Sequence, residues 1–166
     1  MIKMTNNQRS NNQVIYLILD NIRSVHNVGS IFRTAETIGV TKIYCVGATP
    51  TPIDRFNRKR KDFAKVALGA EDLVPWEYSD QPIALAERLK KEGFQIIAVE
   101  QTASSIDYRK VKVNRKTAVV FGNEVEGVSE PLLKLADMVA EISLKGKKES
   151  LNVSVAAGIS LFAFFE

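Results

Sequence analysis

The side chains able to do chemistry gather in three stretches of this chain. The first is Asn21-Ile-Arg23-Ser-Val-His26-Asn27-Val-Gly-Ser-Ile-Phe-Arg33. Arg23 and Arg33 flank an Asn/Gly helix start, which suits the handling of an anion because the first turn of a helix presents unpaired N–H groups. The second is Phe121-Gly122-Asn123-Glu124-Val125-Glu126-Gly127-Val128-Ser129. The third runs from Ile142-Ser143-Leu144-Lys145-Gly146 into Ser150-Leu151-Asn152-Val153-Ser154. Gly122, Gly127 and Gly146 permit backbone shapes, or a close approach, that a side chain would forbid. Asn123 and Asn152 can cap turns or helices. Taken singly, each turn is an ordinary connection. Taken together, they are two strand-to-loop-to-helix turns in close succession, full of backbone donors and acceptors. In an open parallel sheet the crevice at the strands' carboxyl ends is where ligands bind.

Other reactive residue types carry less. The lone His26 is either a general base or, more ordinarily for a loop histidine, structural or simply exposed. The single Cys45 sits in an apolar run and reads as a buried small hydrophobe. One cysteine permits no disulfide within the chain, and one histidine leaves no His/Cys metal cluster. Ser150 and Ser154 lack a nearby histidine and a GxSxG elbow, which argues against a serine hydrolase. No GxGxxG or GxxxxGK[ST] fingerprint is present.

The elements that position these groups alternate between strand and helix. Strands are predicted at 14–19, 41–46, 95–99, 117–121 and 138–142, with an edge strand at 74–78 because of Pro75. Asn27 is the predicted cap of a helix stopped by Gly39. Val28, Ile31, Phe32, Ala35 and Ile38 form its apolar stripe, and Arg33 falls off that stripe. Further helices are predicted at 82–92, closed by Gly93, and at 131–136, capped by Ser129, with a short turn or helix at 64–72. The segment 151–165 is too short to span a membrane. It reads as a helix buried over most of its surface, with Ser154, Gly158 and Ser160 letting a second helix or subunit approach. The alternation implies an α/β domain: a mostly parallel sheet with helices on both faces.

The chain has 166 residues, a net charge of +4 and a hydrophobic content of 45%, enough for one domain with a real core. Residues 1–13 read as a flexible polar arm ahead of a domain at 14–166. No signal-peptide pattern opens the chain, so the cytoplasm is the expected compartment. Basic residues cluster in loops. Arg55, Arg58, Lys59, Arg60, Lys61 and Lys65 fall in or beside the long loop 47–62; Arg109, Lys110, Lys112, Arg115 and Lys116 form a second run; Lys145, Lys147 and Lys148 form a third. These runs hold more than half of the 23 basic residues. They are either solvated faces or a phosphate-binding surface.

Taken in order, the chemistry-bearing stretches resemble the motifs of the SpoU/TrmH family of RNA ribose 2′-O-methyltransferases, in the SPOUT class. The resemblance covers roughly residues 14–166. It rests on Asn27-Val-Gly-Ser-Ile-Phe-Arg33-Thr-Ala-Glu-Thr-Ile-Gly39, on Phe121 to Ser129, and on Ile142-Ser-Leu with Ser150-Leu-Asn152-Val-Ser-Val-Ala-Ala157. Lys65-Val-Ala-Leu-Gly-Ala-Glu71 and Val99-Glu-Gln-Thr102 also look familiar. It implies a C-terminal deep trefoil knot, which no general topology rule would propose. It implies S-adenosylmethionine, leaving as S-adenosylhomocysteine, held by Gly122, Ile142 and Leu151, with Leu144 and Thr102 as further contacts, and no metal. It implies a homodimer whose active site draws on both subunits. Arg33 becomes the catalytic residue, supported by Asn27, Glu124, Ser150 and Asn152. Arg33 acts either as a base in a special site or as a charged stabiliser. The implied substrate is tRNA or rRNA, which Arg23, Arg55, Arg58, Lys59, Arg60 and Lys61 would track. The alternatives are an RNA-binding module of the same fold without catalysis, and a base methyltransferase, whose relatives carry different motifs.

Overall fold

The computed structural model describes residues 13–147 and 150–166. In chain order its elements are β1 (Val14–Asp20), α1 (Val25–Ile38), β2 (Lys42–Val46), α2 (Lys61–Ala67), α3 (Ala70–Leu73), β3 (Trp76–Ser79), α4 (Pro82–Lys91), β4 (Gln95–Val99) and β5 (Ile106–Asp107). A 3₁₀ turn (Tyr108–Lys110), β6 (Lys116–Phe121), α5 (Glu130–Leu135), β7 (Met138–Glu141) and α6 (Val153–Phe165) follow. The strands form one sheet in the order β3-β2-β1-β6-β4-β7-β5, and the named pairings are all parallel.

Strand periodicity sorts the core onto two faces. Leu17, Leu19, Ile97, Val119 and Phe121 face one layer, where α1 contributes Val28, Ile31, Phe32, Ala35 and Ile38 and α6 contributes Ala157, Leu161 and Phe164. Ile18, Ile96, Ala98, Ala118 and Val120 face the other, where α4 brings Leu85, Ala86 and Leu89 and α5 brings Leu132. The central strands are apolar on both sides because both sides are covered. Cys45 packs in the first layer, and burial pushes its thiol up to about 12. It stays protonated at neutral pH and behaves as a small apolar group. Among the described residues no helix is long and apolar enough to cross a membrane.

Several expectations are corrected. Ser24, not Asn27, caps α1: its hydroxyl accepts the Asn27 N–H at 3.2 Å. Asn27 is thereby moved into the first turn, with its amide turned inward. Gly39 does end the helix, at φ 80°. The loop 47–62 is not structureless, since Ile53 and Lys59 form an antiparallel bridge and α2 begins at Lys61. Residues 106–110 form β5 and a 3₁₀ turn that the basic run obscured. In α6, Ser160 is fully buried, whereas Val155 and Ile159 are exposed. The helix therefore leaves an apolar face open, with Gly158 beside it, where an added Cβ would meet nothing within 4 Å; of the three small residues only Ser160 is turned away into the core. Residues 1–12 of the expected arm, and Lys148, lie outside the described residues.

The sheet topology sets up the site. The chain winds outward from β1 through β2 to β3 and then returns to the far side. β6 inserts between β1 and β4, and β7 between β4 and β5. The loops after β1, β4, β6 and β7 therefore meet along one carboxyl edge. Helix α1 is locked over that sheet by Phe32, whose ring meets Phe63 of α2 edge-on at 5.1 Å. Phe32→Ala should cost about 3–5 kcal/mol, read as a lower midpoint in urea unfolding with an unchanged slope; a loss under about 1 kcal/mol would show that α1 is held elsewhere.

Candidate active site

The site is built on an amide that bridges two carboxyl-edge loops. Asn27 is buried in the first turn of α1. Its Nδ2 donates to Glu124 Oε1 at 2.9 Å. Its Oδ1 accepts from Asn152 Nδ2 at 3.0 Å. Asn152 in turn caps α6, its Oδ1 accepting the Ser154 N–H at 2.8 Å and the Ser154 hydroxyl at 2.7 Å. One chain of hydrogen bonds thus ties together the three stretches singled out in the sequence. An amide suits this place because it donates from its nitrogen on one side and accepts at its oxygen on the other, which neither a carboxylate nor an apolar side chain can do.

Glu124 is poised as an anion. Burial pulls its carboxyl up, but the Asn27 amide and the peptide N–H groups of Glu124 itself, Arg23 and Ser24 outweigh this and hold it below the ordinary range. The start of α1 adds a favourable dipole. Such a carboxylate orients donors and is a poor proton acceptor.

The loop carrying Glu124 admits only glycine at its two tight points. A Cβ on Gly122 would lie 2.1 Å from the Val128 nitrogen and 2.2 Å from the Gly127 carbonyl carbon. Gly127 has φ 72°, and a Cβ there would meet Glu100 Oε2 at 2.1 Å. Side chains from the neighbouring strand ends anchor the loop. Asp20, buried at the end of β1, accepts the Ser129 N–H at 2.8 Å. Glu100, just past β4, accepts the Val128 N–H at 3.0 Å. Asn123 donates to the Asn21 carbonyl at 2.8 Å and accepts from the N–H groups of Val125 and Glu126. Sequence reasoning missed Asp20 and Glu100. The available signal was a carboxylate closing an apolar strand, where a solvated residue would serve as well.

Beside this loop lies a cavity of about 330 Å³, lined by Phe121, Gly122, Glu124, Ile142, Leu144, Ser150 and Leu151 among others. Of the expected cofactor contacts, Gly122, Ile142, Leu144 and Leu151 all line it. Thr102 does not, being engaged in its own turn with Ser105. Among the described residues, the peptide groups of Gly122, Ile142 and Leu144 enter no backbone hydrogen bond, so they are open to a ligand. Apolar walls, open peptide groups and two nearby carboxylates, Glu100 and Glu124, fit a ligand that is partly flat and apolar and carries positive charge.

Arg33 stands apart. It is exposed, six residues beyond Asn27 on α1, and it lines a separate groove with His26, Ser30, Lys65 and Phe162. Six residues advance a helix by about 9 Å. Within one chain, Arg33 and the Glu124 cavity do not share a wall.

The expected RNA-contacting cations are also sorted by the structure. Arg58 pairs with Asp54, Lys59 with Asp72 and Arg60 with Asp62. Among the described residues, Arg23, Arg55 and Lys61 form no ion pair. The second run is tempered too: Arg109 clasps Asp107 and holds that carboxyl well below the usual range. No cluster of metal-ligating side chains occurs among the described residues.

The sequence profile of the SpoU rRNA Methylase family matches residues 14–162. The chain belongs to this family. It is similar to a tRNA (guanosine(18)-2′-O)-methyltransferase of Aquifex aeolicus, at 33% identity over 148 residues that cover 89% of this chain and 67% of that protein. A protein of the same description from Thermus thermophilus is 35% identical over 149 residues, covering 88% of this chain and 71% of that one. Among solved structures, an AdoMet-bound rRNA methyltransferase from Sinorhizobium meliloti aligns with TM-score 0.80 at 28% identity, covering 90% of this chain and 55% of that one. The chain thus spans little more than half of some SpoU relatives and about two thirds or more of others.

Because folding favours the ionised form of Glu124, its contribution to stability is present above about pH 4.3, the ordinary glutamate value, and is lost as pH falls through the lower folded value. The stability gap between the wild type and Glu124→Gln should therefore shrink in urea titrations taken below about pH 4. A gap of equal size at about pH 3 and pH 7 would contradict the assignment.

Proposed function

We propose that this chain is an S-adenosylmethionine-dependent methyltransferase acting on a ribose 2′-hydroxyl of tRNA or rRNA, working as a homodimer in the cytoplasm. The observation that carries this reading is the Glu124–Asn27–Asn152 bridge beside a cavity with open peptide groups. The residues present fit the cofactor: Phe121, Ile142, Leu144 and Leu151 for its apolar ring, the peptide groups of Gly122, Ile142 and Leu144 for its polar edges, Glu100 and Glu124 for its positive charge. The bound cofactor supplies an electrophilic methyl group on a good leaving group, so no metal is needed.

This chain's residues then have to position and stabilise. Asn27 and Asn152 hold the Glu124 loop and the start of α6 at a fixed spacing, which sets the walls of the cavity. An arginine keeps its charge in proteins, so Arg33 serves as a cation that binds a substrate phosphate and stabilises the developing alkoxide. The proton of the hydroxyl passes to solvent, because Glu124 is too weak an acceptor. Ser150 borders the cavity as a polar contact to the ribose. The separation of Arg33 from that cavity within one chain, and the open apolar face of Val155 and Ile159 beside Phe162 of the Arg33 groove, favour a site completed by a second copy. We read residues 14–166 as one domain whose C-terminal part is threaded as a knot. The runs at 55–61 and Arg23 track the RNA, with Arg55, Lys61 and Arg23 the cations that need no displaced carboxylate.

Arg33→Ala should lower transfer of labelled methyl to unmodified bulk RNA on the order of 100-fold or more, while calorimetric affinity for S-adenosylmethionine stays within about twofold of the wild type. Normal turnover in Arg33→Ala would remove the assignment. An equal loss of cofactor affinity would move Arg33 into the cofactor cavity.

A further inference from the structure

Phe56 leaves 61% of its surface in solvent, although a phenylalanine ring is among the groups most worth burying. It stands at the tip of a tightly bonded hairpin. Ile53 and Lys59 bridge its arms, and the Asp54 N–H donates to the Arg58 carbonyl at 2.9 Å. Asp54 Oδ1 accepts the N–H groups of Phe56 at 2.8 Å and Arg58 at 3.0 Å, and its Oδ2 accepts Arg58 Nε at 2.8 Å. Asn57 takes φ 59° to close the turn. At the foot, the Arg60 N–H donates to the Pro52 carbonyl at 2.9 Å and the Thr51 hydroxyl to the Ile53 carbonyl at 2.7 Å. So many local bonds around one exposed ring preorganise it for contact.

The surroundings define what it would contact. The guanidinium carbons of Arg55 and Arg58 lie 4.8 Å and 5.0 Å from the ring centroid. Across a groove of about 760 Å³ stand Trp76 and Tyr78 of the edge strand β3, with Tyr78 49% exposed. Arg55, Arg58 and Arg60 line the groove; Arg58 pairs with Asp54 and Arg60 with Asp62, which leaves Arg55 as the cation of the three without a carboxylate partner among the described residues. The foot of the groove is tied to the carboxyl end of β1, the strand that leads into the Arg23–Asn27 stretch. Thr49 lines the groove and donates to the Leu19 carbonyl at 2.7 Å while accepting the Ile22 N–H at 3.0 Å, at the end of β1. Aromatic faces interleaved with arginines recognise an unpaired base and the phosphates on either side of it.

We propose that the 53–59 hairpin is a base-stacking finger: Phe56, with Arg55 and Arg58, takes an unpaired RNA base against Trp76 and Tyr78 and holds the substrate strand along the carboxyl edge of the sheet. This rests on the RNA reading above and adds a requirement for an unpaired nucleotide.

The test uses the full chain, with filter binding of unmodified bulk tRNA and rRNA and of a fully paired RNA duplex. Phe56→Ala should weaken binding of bulk RNA about tenfold or more, in line with the loss of one stacked base. Phe56→Trp should bind within about twofold of the wild type, and the duplex affinity should be the same for all three. The salt dependence should keep its slope in Phe56→Ala and lose about one unit in Arg55→Ala. The proposal is overturned if Phe56→Ala binds bulk RNA like the wild type, or weakens duplex and bulk RNA alike. It is also overturned if Phe56→Ala shifts the sedimentation of the free protein, since the ring is then covered by a second copy. If the wild type itself binds no RNA, the reading of the function fails first and the finger fails with it.

Discussion

The structure of the site depends on one buried amide. Asn27 accepts from Asn152 and donates to Glu124, and these partners lie 125 and 97 residues away along the chain. A carboxylate in its place would repel Glu124, and an apolar residue would strand two polar groups in a half-buried setting. Ser24 makes the bridge possible by starting the helix about one turn earlier, which places Asn27 inside α1 with its side chain facing the loops. The helix dipole, the cap and the amide all act at one point, so the ionised Glu124 is stabilised by the fold itself.

The rest of the carboxyl edge keeps that point in place. Asp20 and Glu100 each spend a carboxylate on a peptide N–H of the 122–129 loop. Gly122 and Gly127 let that loop fold onto itself where any side chain would collide. These are positioning roles, and together they make a rigid rim over a cavity whose floor is the end of β6. Arg33 is left outside this arrangement in a single chain. Its groove shares Phe162 of α6, and α6 is also the helix that leaves Val155 and Ile159 uncovered. One architectural choice, α6 packed beside α1, thus places an apolar face and the expected catalytic cation side by side.

Much of this was legible in the sequence. The β-branched runs at 14–19 and 117–121 and the stripe through Val28, Ile31, Phe32, Ala35 and Ile38 announce a parallel sheet with a helix laid on it, because burial on one face or both leaves its period in the residues. The motif glycines and asparagines marked the loops that matter. What pattern reading could not supply was pairing across distance. Nothing local tells that Ser24 rather than Asn27 caps α1, since either residue is a good cap and the Asn27 amide is instead engaged at both ends by Glu124 and Asn152. The cations at 58, 59 and 60 read as a free basic run until the fold brings Asp72 and Asp62 beside them and the hairpin turns Asp54 onto Arg58. Asp20 and Glu100 look like ordinary strand ends. The order of the strands, with β6 between β1 and β4, is a long-range fact with no local signature.

The most direct test of the central claim is chemical. Labelled S-adenosylmethionine is incubated with the protein and unmodified bulk RNA, and the RNA is digested to nucleosides. The account predicts label in a 2′-O-methylated nucleoside. Label in a base-methylated nucleoside, or no transfer to either tRNA or rRNA despite measurable cofactor binding, would contradict it.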